Sequence, residues 1–407
     1  MQIRIADPED LEGITSVLRE SFNVYRCIGI DKEYLEKLFR VDDSVTSNAV
    51  FVVEEDGRIV SVTMVVEREI RTAIGWLPFA GIANVATHPK YRGRGLASKL
   101  LAFIEKHYEE KQYPLIGLLA GYGEPAHRLY RRRGFYDIAY YRERIFVLDD
   151  IPKLVSQLRI RTYGEKLDGS VLPITEAGAE QLYKLYNSWI AARYYGVFKR
   201  SLRRWRGILE TNQYATWFLG DHAEGWYYEL ESGKAYSLVY MIKNSPLSGC
   251  RDRYAAYILE IVAEPRHYPL VLADTLEKLV DSGAKTIYYR PPPDKEYMVE
   301  KTRLIVPDET LMVKPCCAEC LVKLLQNHFK EATINVDSRA NIVMEYPSGA
   351  IEFTPDSLLR IILGVSDPFE EYFNGKIRVR GDYKILLEGF SADLIFRPHY
   401  IPLIDKW

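Results

Sequence analysis

Residues 84–101, "NVATHPKYRGRGLASKLL", pass from an apolar run with the texture of a strand, through a turn holding Gly93 and Gly95, into the apolar spacing of an amphipathic helix. That succession narrows the folds open to the chain to those in which a strand feeds directly into a helix. A helix N-terminus presents backbone N–H groups with no intrahelical acceptor, and the helix dipole adds about half a positive charge there. Gly93 and Gly95 lack a Cβ, so the backbone can approach a bulky anion, and Arg92 and Arg94 can add charge from the sides. The spacing differs from the G-x-G-x-x-G dinucleotide fingerprint, and no Lys-Ser/Thr follows as in a nucleotide P-loop. A pyrophosphate suits such a seat; taken alone, the turn also reads as a solvated loop before a helix.

Length and charge set the surroundings of this turn. A chain of 407 residues is long for one core and suggests about two to four domains. Lysine and arginine number 54 against 56 aspartates and glutamates, so bulk electrostatics do not recruit nucleic acid. No apolar run is long enough to span a membrane, and "MQIRIADPEDLEG" places charges where a signal peptide needs an apolar core. A cytoplasmic protein that engages no membrane is expected. The five cysteines, an odd number in a long chain, argue against a disulfide framework. "CCAEC" and nearby His328 invite a zinc reading, but "CAECLVKLLQNHF" has the apolar spacing of a helix, so buried helix-face thiols and no metal are expected.

Three units emerge along the chain. Residues 1–150 read as a mixed α/β unit: a strand and an Asp-Pro helix start, two strands around Asp56-Gly57, the strand and helix of the quoted stretch, the strand "LIGLLAG", the helix "PAHRLYRRR" and one strand "DIAYYRERIFVL". Residues 151–307 repeat that texture, with a helix near 175–194, strands at 215–220, 234–243 and 254–264, a helix near 269–283 and a triple proline at 291–293. Residues 308–407 read as a smaller α+β unit, with helices near 318–329 and 355–364, strands at 334–338, 340–346, 349–354 and 376–381, and a late strand at 391–397.

Arg92-Gly93-Arg94-Gly95-Leu96-Ala97 resembles the Arg/Gln-x-x-Gly-x-Gly/Ala motif that GNAT acetyltransferases carry after their fourth strand, and "PAHRLYRRRGFY" resembles their second motif. Gly123 stands where many GNAT proteins carry asparagine. The resemblance covers about the first 150 residues and implies that acetyl-CoA lies in the splay of two parallel strands. Val85, Ala86, Thr87, Arg92, Gly93, Arg94, Gly95, Leu96, Ala97, Ser98, Pro125 and Ala126 would then line it. The order and length of the whole chain resemble the Eis (enhanced intracellular survival) family of GNAT proteins. That likeness implies a degenerate second GNAT-like unit, a third unit similar to sterol carrier protein, and a homo-hexamer. "VAEPRHYPLVLADTLEKL" stands at the second unit's equivalent turn without a glycine pair, so one acetyl-CoA site per chain is expected.

Amine acetylation needs a base to free the attacking lone pair and an acid for the departing thiolate. Tyr130 has the motif position of the general acid, although it can also be read as a packing tyrosine. Eis-like proteins use the carboxylate of the last residue as base, here Trp407, at the end of the apolar tail "RPHYIPLIDKW"; an ordinary docked or frayed terminus fits the same tail. His88 and His127 flank the motifs and suit solvated or supporting roles, Glu124 is a second carboxylate, and Arg128, Arg131, Arg132 and Arg133 could hold the 3′-phosphate of CoA or form a charged helix face. The expected activity is an acetyl-CoA-dependent N-acetyltransferase acting on a small amine, an aminoglycoside-like amine or a lysine side chain. A CoA-responsive scaffold without turnover, or a lipid carrier acting through residues 308–407, are the alternatives. Lys406 and Arg26 weigh against a polycationic acceptor. No nucleic-acid-binding fold accompanies the arginine cluster.

Overall fold

In the computed structural model the described residues are 1–161, 167, 169–211, 224–230, 233–244, 246–305, 309–386, 390 and 397–401. The expected strand at 215–220, most of the late strand at 391–397, and Lys406 and Trp407 lie outside them.

The strands of the described residues form two seven-stranded sheets and one four-stranded sheet. The first runs in the order Gln2–Ile5, Val50–Glu55, Arg58–Thr72, Gly75–Thr87, Leu115–Gly121, Glu309–Pro315 and Tyr136–Tyr140. Its neighbours are antiparallel except for Gly75–Thr87 and Leu115–Gly121, which run parallel. Helix Leu96–Glu110 makes that crossover and buries Leu96, Leu100, Leu101, Ile104 and Tyr108 against the sheet, the spacing of one helix face. The Asp56-Gly57 turn has positive φ at both residues, 50° and 72°, which joins two twisted antiparallel strands without splaying them.

The second sheet repeats this order with Gly169–Pro173, Glu224–Leu230, Gly233–Met241, Ala255–Val262, Thr286–Tyr289, Glu143–Val147 and Arg303–Ile305. Its parallel pair, Ala255–Val262 with Thr286–Tyr289, is bridged by helix Tyr268–Asp281. The two sheets exchange one strand each. Glu143–Val147 inserts between Thr286–Tyr289 and Arg303–Ile305, and Glu309–Pro315 inserts between Leu115–Gly121 and Tyr136–Tyr140. The run "DIAYYRERIFVL", expected as one strand, is therefore two, Tyr136–Tyr140 and Glu143–Val147, in different sheets. Alternation of apolar residues specifies a strand but not which sheet edge receives it.

The third sheet is an antiparallel meander of Thr333–Val336, Ile342–Tyr346, Gly349–Phe353 and Ile377–Gly381. Helices Ala318–His328 and Pro355–Ile362 place Leu321, Leu325, Leu358, Leu359 and Ile362 in one core with first-sheet residues such as Leu311 and Val313. Backbone bonds knot the three parts together. Gly196 N–H donates to Arg71 O and Arg71 N–H to Val197 O, each at 2.8 Å, Ala73 N–H donates to Ile362 O at 2.7 Å, and Tyr195 pairs with the segment at 398–400.

The cysteines differ from expectation. Cys27 is bonded to Cys250 and Cys317 to Cys320, leaving Cys316 as a free thiol. The first pair joins helix Asn23–Ile28 to the second part of the chain across 223 residues, a separation over which sequence carries no pairing signal. Cys317 is the N-cap of its helix rather than part of the apolar face, which turns its sulfur toward Cys320 one turn on. Burial pushes the Cys316 thiol up to about 12. Among the described residues no cluster of metal-type side chains occurs, and no helix is long and apolar enough to cross a membrane.

Candidate active site

The parallel pair in the first sheet is bonded only from Phe79↔Leu115 to Ile82↔Leu118. Beyond that point the strands part, and the cause is local. Asn84 has a left-handed φ of 54°, and the register to the neighbouring strand slips between Val62 and Met64. A bulge with an extra residue bends its strand away from its partner. Asn84 is held by Tyr25, whose buried hydroxyl donates to Asn84 Oδ1 at 2.6 Å, while Asn84 Nδ2 approaches Met64 Sδ at 3.3 Å. Val85, Ala86 and Thr87 follow the kink and end the strand.

At the end of that strand the chain makes a 3₁₀ turn, Pro89–Tyr91, and enters helix Leu96–Glu110 through Gly93 and Gly95, with φ of 78° and 74°. Left-handed backbone at both positions is what calls for glycine here; a Cβ at either would meet no atom within 4 Å. The clearance expected of these glycines is thus secondary to their conformation. The N–H groups of Gly93, Arg94, Gly95, Leu96, Ala97 and Ser98 donate to no protein acceptor among the described residues, the first ladder bond being Lys99 N–H to Gly95 O at 3.1 Å. This row of donors at the positive end of a fifteen-residue helix fits a pyrophosphate.

The arginines behave differently from the backbone. Arg94 forms a two-point pair with Glu55 at 2.7 and 2.6 Å, and its guanidinium lies 5.6 Å from the Tyr91 ring centroid. Arg92 Nε donates to Thr87 O at 3.1 Å. Both side chains brace the turn, so the seat itself is built of main-chain N–H groups. Ser98 accepts from Arg133, which also grips Glu105 at 2.7 and 2.8 Å. That clamp fixes helix Pro125–Arg132 against helix Leu96–Glu110.

Helix Pro125–Arg132 begins after the Gly123 turn, with Pro125 and Ala126 exposed at its start. His127 is buried, contrary to the solvated role open to it. Its Nδ1 accepts from Gly123 N–H at 3.4 Å, which assigns the proton to Nε2 and makes the 2.7 Å contact with Asp137 Oδ1 a donation. The ring ties the helix start to the next strand because Asp137 faces it across the Gly134 turn. Of the arginine cluster, Arg128 caps Gly123 O at 2.7 Å, Arg131 faces Asp137 at 3.7 Å, and Arg133 is committed as described.

Tyr130 packs with Leu96, Leu118 and Ala120 beneath the opening and is 6% exposed. Its hydroxyl makes no hydrogen bond among the described residues, and burial raises its pKa well above the usual tyrosine range. The phenol therefore carries its proton at neutral pH. Asn84 and Tyr25 were missed in the sequence; the signal was a polar asparagine, the residue type most tolerant of left-handed backbone, inside the apolar run "GIANVA".

Among the described residues the second sheet shows no such seat. Its parallel pairing ends at Ile258↔Tyr289, and two residues on, at the place Asn84 holds in the first sheet, stands Glu260, buried against Arg200. The N–H groups of His267 and Tyr268 are already taken by Glu264 O at 2.9 and 3.1 Å.

Residues 2–139 match the acetyltransferase (GNAT) domain model. An S-alkylcysteine N-acetyltransferase of Bacillus subtilis (strain 168) is 28% identical over 138 residues, 32% of this chain and 76% of that one. A probable N-acyltransferase of unknown function from Enterococcus faecalis V583 shares the fold over 100% of this chain and 99% of its own, with a TM-score of 0.69 and 14% identity. Eis1 from Mycobacterium abscessus does so over 99% and 98%, with a TM-score of 0.57 and 14% identity. The matched domain ends where the strand exchange begins. The chain thus carries a GNAT N-acetyltransferase domain, and GNAT acetyltransferases use acetyl-CoA.

Proposed function

We propose, from the premise that this chain is a GNAT N-acetyltransferase, that it transfers acetyl to a primary amine by direct attack, with Tyr130 as general acid and the α-carboxylate of Trp407 as base. The observation that carries the reading is the opening beyond Ile82 and Leu118, with free N–H groups at one end and the Tyr130 phenol beneath it. Acetyl-CoA supplies the thioester whose carbonyl is attacked. The N–H groups from Gly93 to Ser98 would hold its pyrophosphate, and Val85, Ala86, Thr87, Pro125 and Ala126 would flank its pantetheine arm. Tyr130 holds a proton for the leaving sulfur. The acceptor range is a small amine or lysine side chain, and the Bacillus subtilis relative's named acceptor, an S-alkylcysteine, supports its small-amine end.

Calorimetry with acetyl-CoA should give one site per chain, since the corresponding turn of the second sheet has no glycine pair and its His267 and Tyr268 N–H groups already bond Glu264 O. Thiol-release assays across diverse amines should then identify the acceptor, and Tyr130→Phe should lower kcat about 10²-fold with acetyl-CoA affinity unchanged. Because the Tyr130 pKa is raised, loss of its proton should produce no falling limb in kcat below about pH 10. Two equivalent sites, or full turnover in Tyr130→Phe, would refute the respective parts.

The base is tested separately. Appending glycines after Trp407 turns its carboxylate into an amide and should lower kcat about 10²-fold, with acetyl-CoA affinity again unchanged. Full turnover in the extended chain would move the role to Glu124 or a water relay. The third unit is proposed to be similar to sterol carrier protein, and the assembly to be a hexamer; a 47.1 kDa species in light scattering at micromolar concentration would refute the hexamer.

A further inference from the structure

The three parts of the chain meet around a cavity of about 420 Å³, inside the range of about 300–1,000 Å³ typical of small-molecule sites. It lies where the first sheet hands its strand to the second, at Ile138–Arg142. The proline connection after Arg290 forms one wall, and Val365 and the segment at 398–401 close it from the third part. The walls are mainly apolar and aromatic. Arg142, Arg290, Glu296, Arg360 and His399 are the polar members, and Arg290 is the fully buried one among them.

Arg290 is 3% exposed and its guanidinium lies 4.3 Å from the Tyr141 ring centroid. Nη2 faces Glu143 at 3.2 Å and Glu309 at 3.5 Å. Among the described residues, Nε and Nη1 have no hydrogen-bond partner. Leaving such donors buried and unmade costs about 1–3 kcal/mol each, more for a charged group. The other polar groups on the wall do not bond them: Glu296 is paired with Arg144 at 2.7 Å, and Arg142 is itself a cation. His399 is held by burial at a pKa of about 4 and is neutral; its Nδ1 lies 2.8 Å from Leu363 O and so donates, leaving Nε2 to accept from Tyr141 at 3.1 Å. Arg360 is itself a cation and is satisfied by Glu371 at 3.0 Å and Ile138 O at 2.9 Å.

We propose that this cavity binds a small amphipathic carboxylate, its carboxylate on the unused donors of Arg290 and its apolar body against the aromatic and proline walls. A monoanion fits better than a phosphate because Glu143 and Glu309 already occupy the far side of the guanidinium, so a dianion would meet two fixed negative charges. At the roughly 30 Å³ that a water molecule takes in the liquid, the volume suits a body of about a dozen non-hydrogen atoms.

Benzoate is a suitable probe, with benzamide as its uncharged counterpart. Calorimetry on the full chain should give a benzoate dissociation constant of about 1 mM or tighter, and benzamide should bind about 10- to 100-fold more weakly, the scale of a buried charge-assisted bond. Arg290→Met should weaken benzoate by the same factor. Should that variant fail to fold, Val365→Trp, which narrows the cavity and leaves Arg290 in place, must weaken benzoate binding, with circular dichroism confirming its fold. Absence of benzoate uptake at about 10 mM, equal affinity for benzamide, or undiminished binding in folded Val365→Trp would each overturn the assignment.

Discussion

Gly95→Glu is expected to weaken acetyl-CoA binding about 10³-fold while the chain stays folded. Gly95 is the N-cap of helix Leu96–Glu110 with a φ of 74°, and its side-chain direction is open space. A glutamate there meets a left-handed backbone cost of about 1–2 kcal/mol, partly offset because its carboxylate lies at the positive end of the helix. That same carboxylate takes the N–H donors proposed to hold the pyrophosphate and adds like charge beside it. Losing two charge-assisted bonds of about 1.5–3 kcal/mol each corresponds to about 10²- to 10⁴-fold in affinity. Gly95→Ala keeps the conformational cost without the charge and should weaken binding by no more than about tenfold. Calorimetry on both variants checks the assignment; an unchanged affinity in Gly95→Glu would remove the pyrophosphate from this turn.

The second large effect concerns stability. Arg200→Met should destabilise the second sheet by about 3–5 kcal/mol. Arg200 and Glu260 are 1% and 0% exposed and joined by two bonds of 2.9 and 2.6 Å. Tyr236 donates to the same carboxylate at 2.6 Å, and the guanidinium lies 3.8 Å from the Tyr186 ring centroid. Removing the cation strands Glu260 in an apolar interior, and that desolvation, rather than the lost attraction, sets the size of the effect. Adding Glu260→Gln removes the stranded charge and still leaves an acceptor for Tyr236, so the double variant should recover most of the loss. Hydrogen exchange of the Ala255–Val262 amides in urea would report both. A loss under about 1 kcal/mol in the single variant would show that water or another cation reaches Glu260.

Much of the candidate site was legible because its signals are local. The strand "LIGLLAG" is Leu115–Gly121, and the helix read at 95–110 is Leu96–Glu110. The residue at the motif position, Tyr130, is a buried tyrosine in the apolar cluster with Leu96 and Leu118. What the arginines do was not legible. Arg94 looked like an anion ligand, yet Glu55, 39 residues earlier, holds it at 2.7 and 2.6 Å. His127 could be read as solvated or as supporting, and its partners, Asp137 and the Gly123 N–H, were not visible in the sequence. A side chain's partner is set by what folds opposite it, which its neighbours in sequence do not specify.

By itself the sequence determined where elements start, turn and stop, because glycines with left-handed backbone, an Asp-Pro helix start and apolar periodicity act within a few residues of themselves. Only the tertiary structure decided which sheet each strand joined. Glu143–Val147 and Glu309–Pro315 alternate like any other strand, and the sheets they complete are assembled from segments more than a hundred residues away. The same holds for the Cys27–Cys250 bond, for the buried Arg200–Glu260 pair two residues beyond the end of the second parallel register, and for the cavity at Arg290. Each arises from surfaces brought together by packing, whose complementarity is a property of shape and burial in three dimensions and leaves no periodic or local trace in the chain.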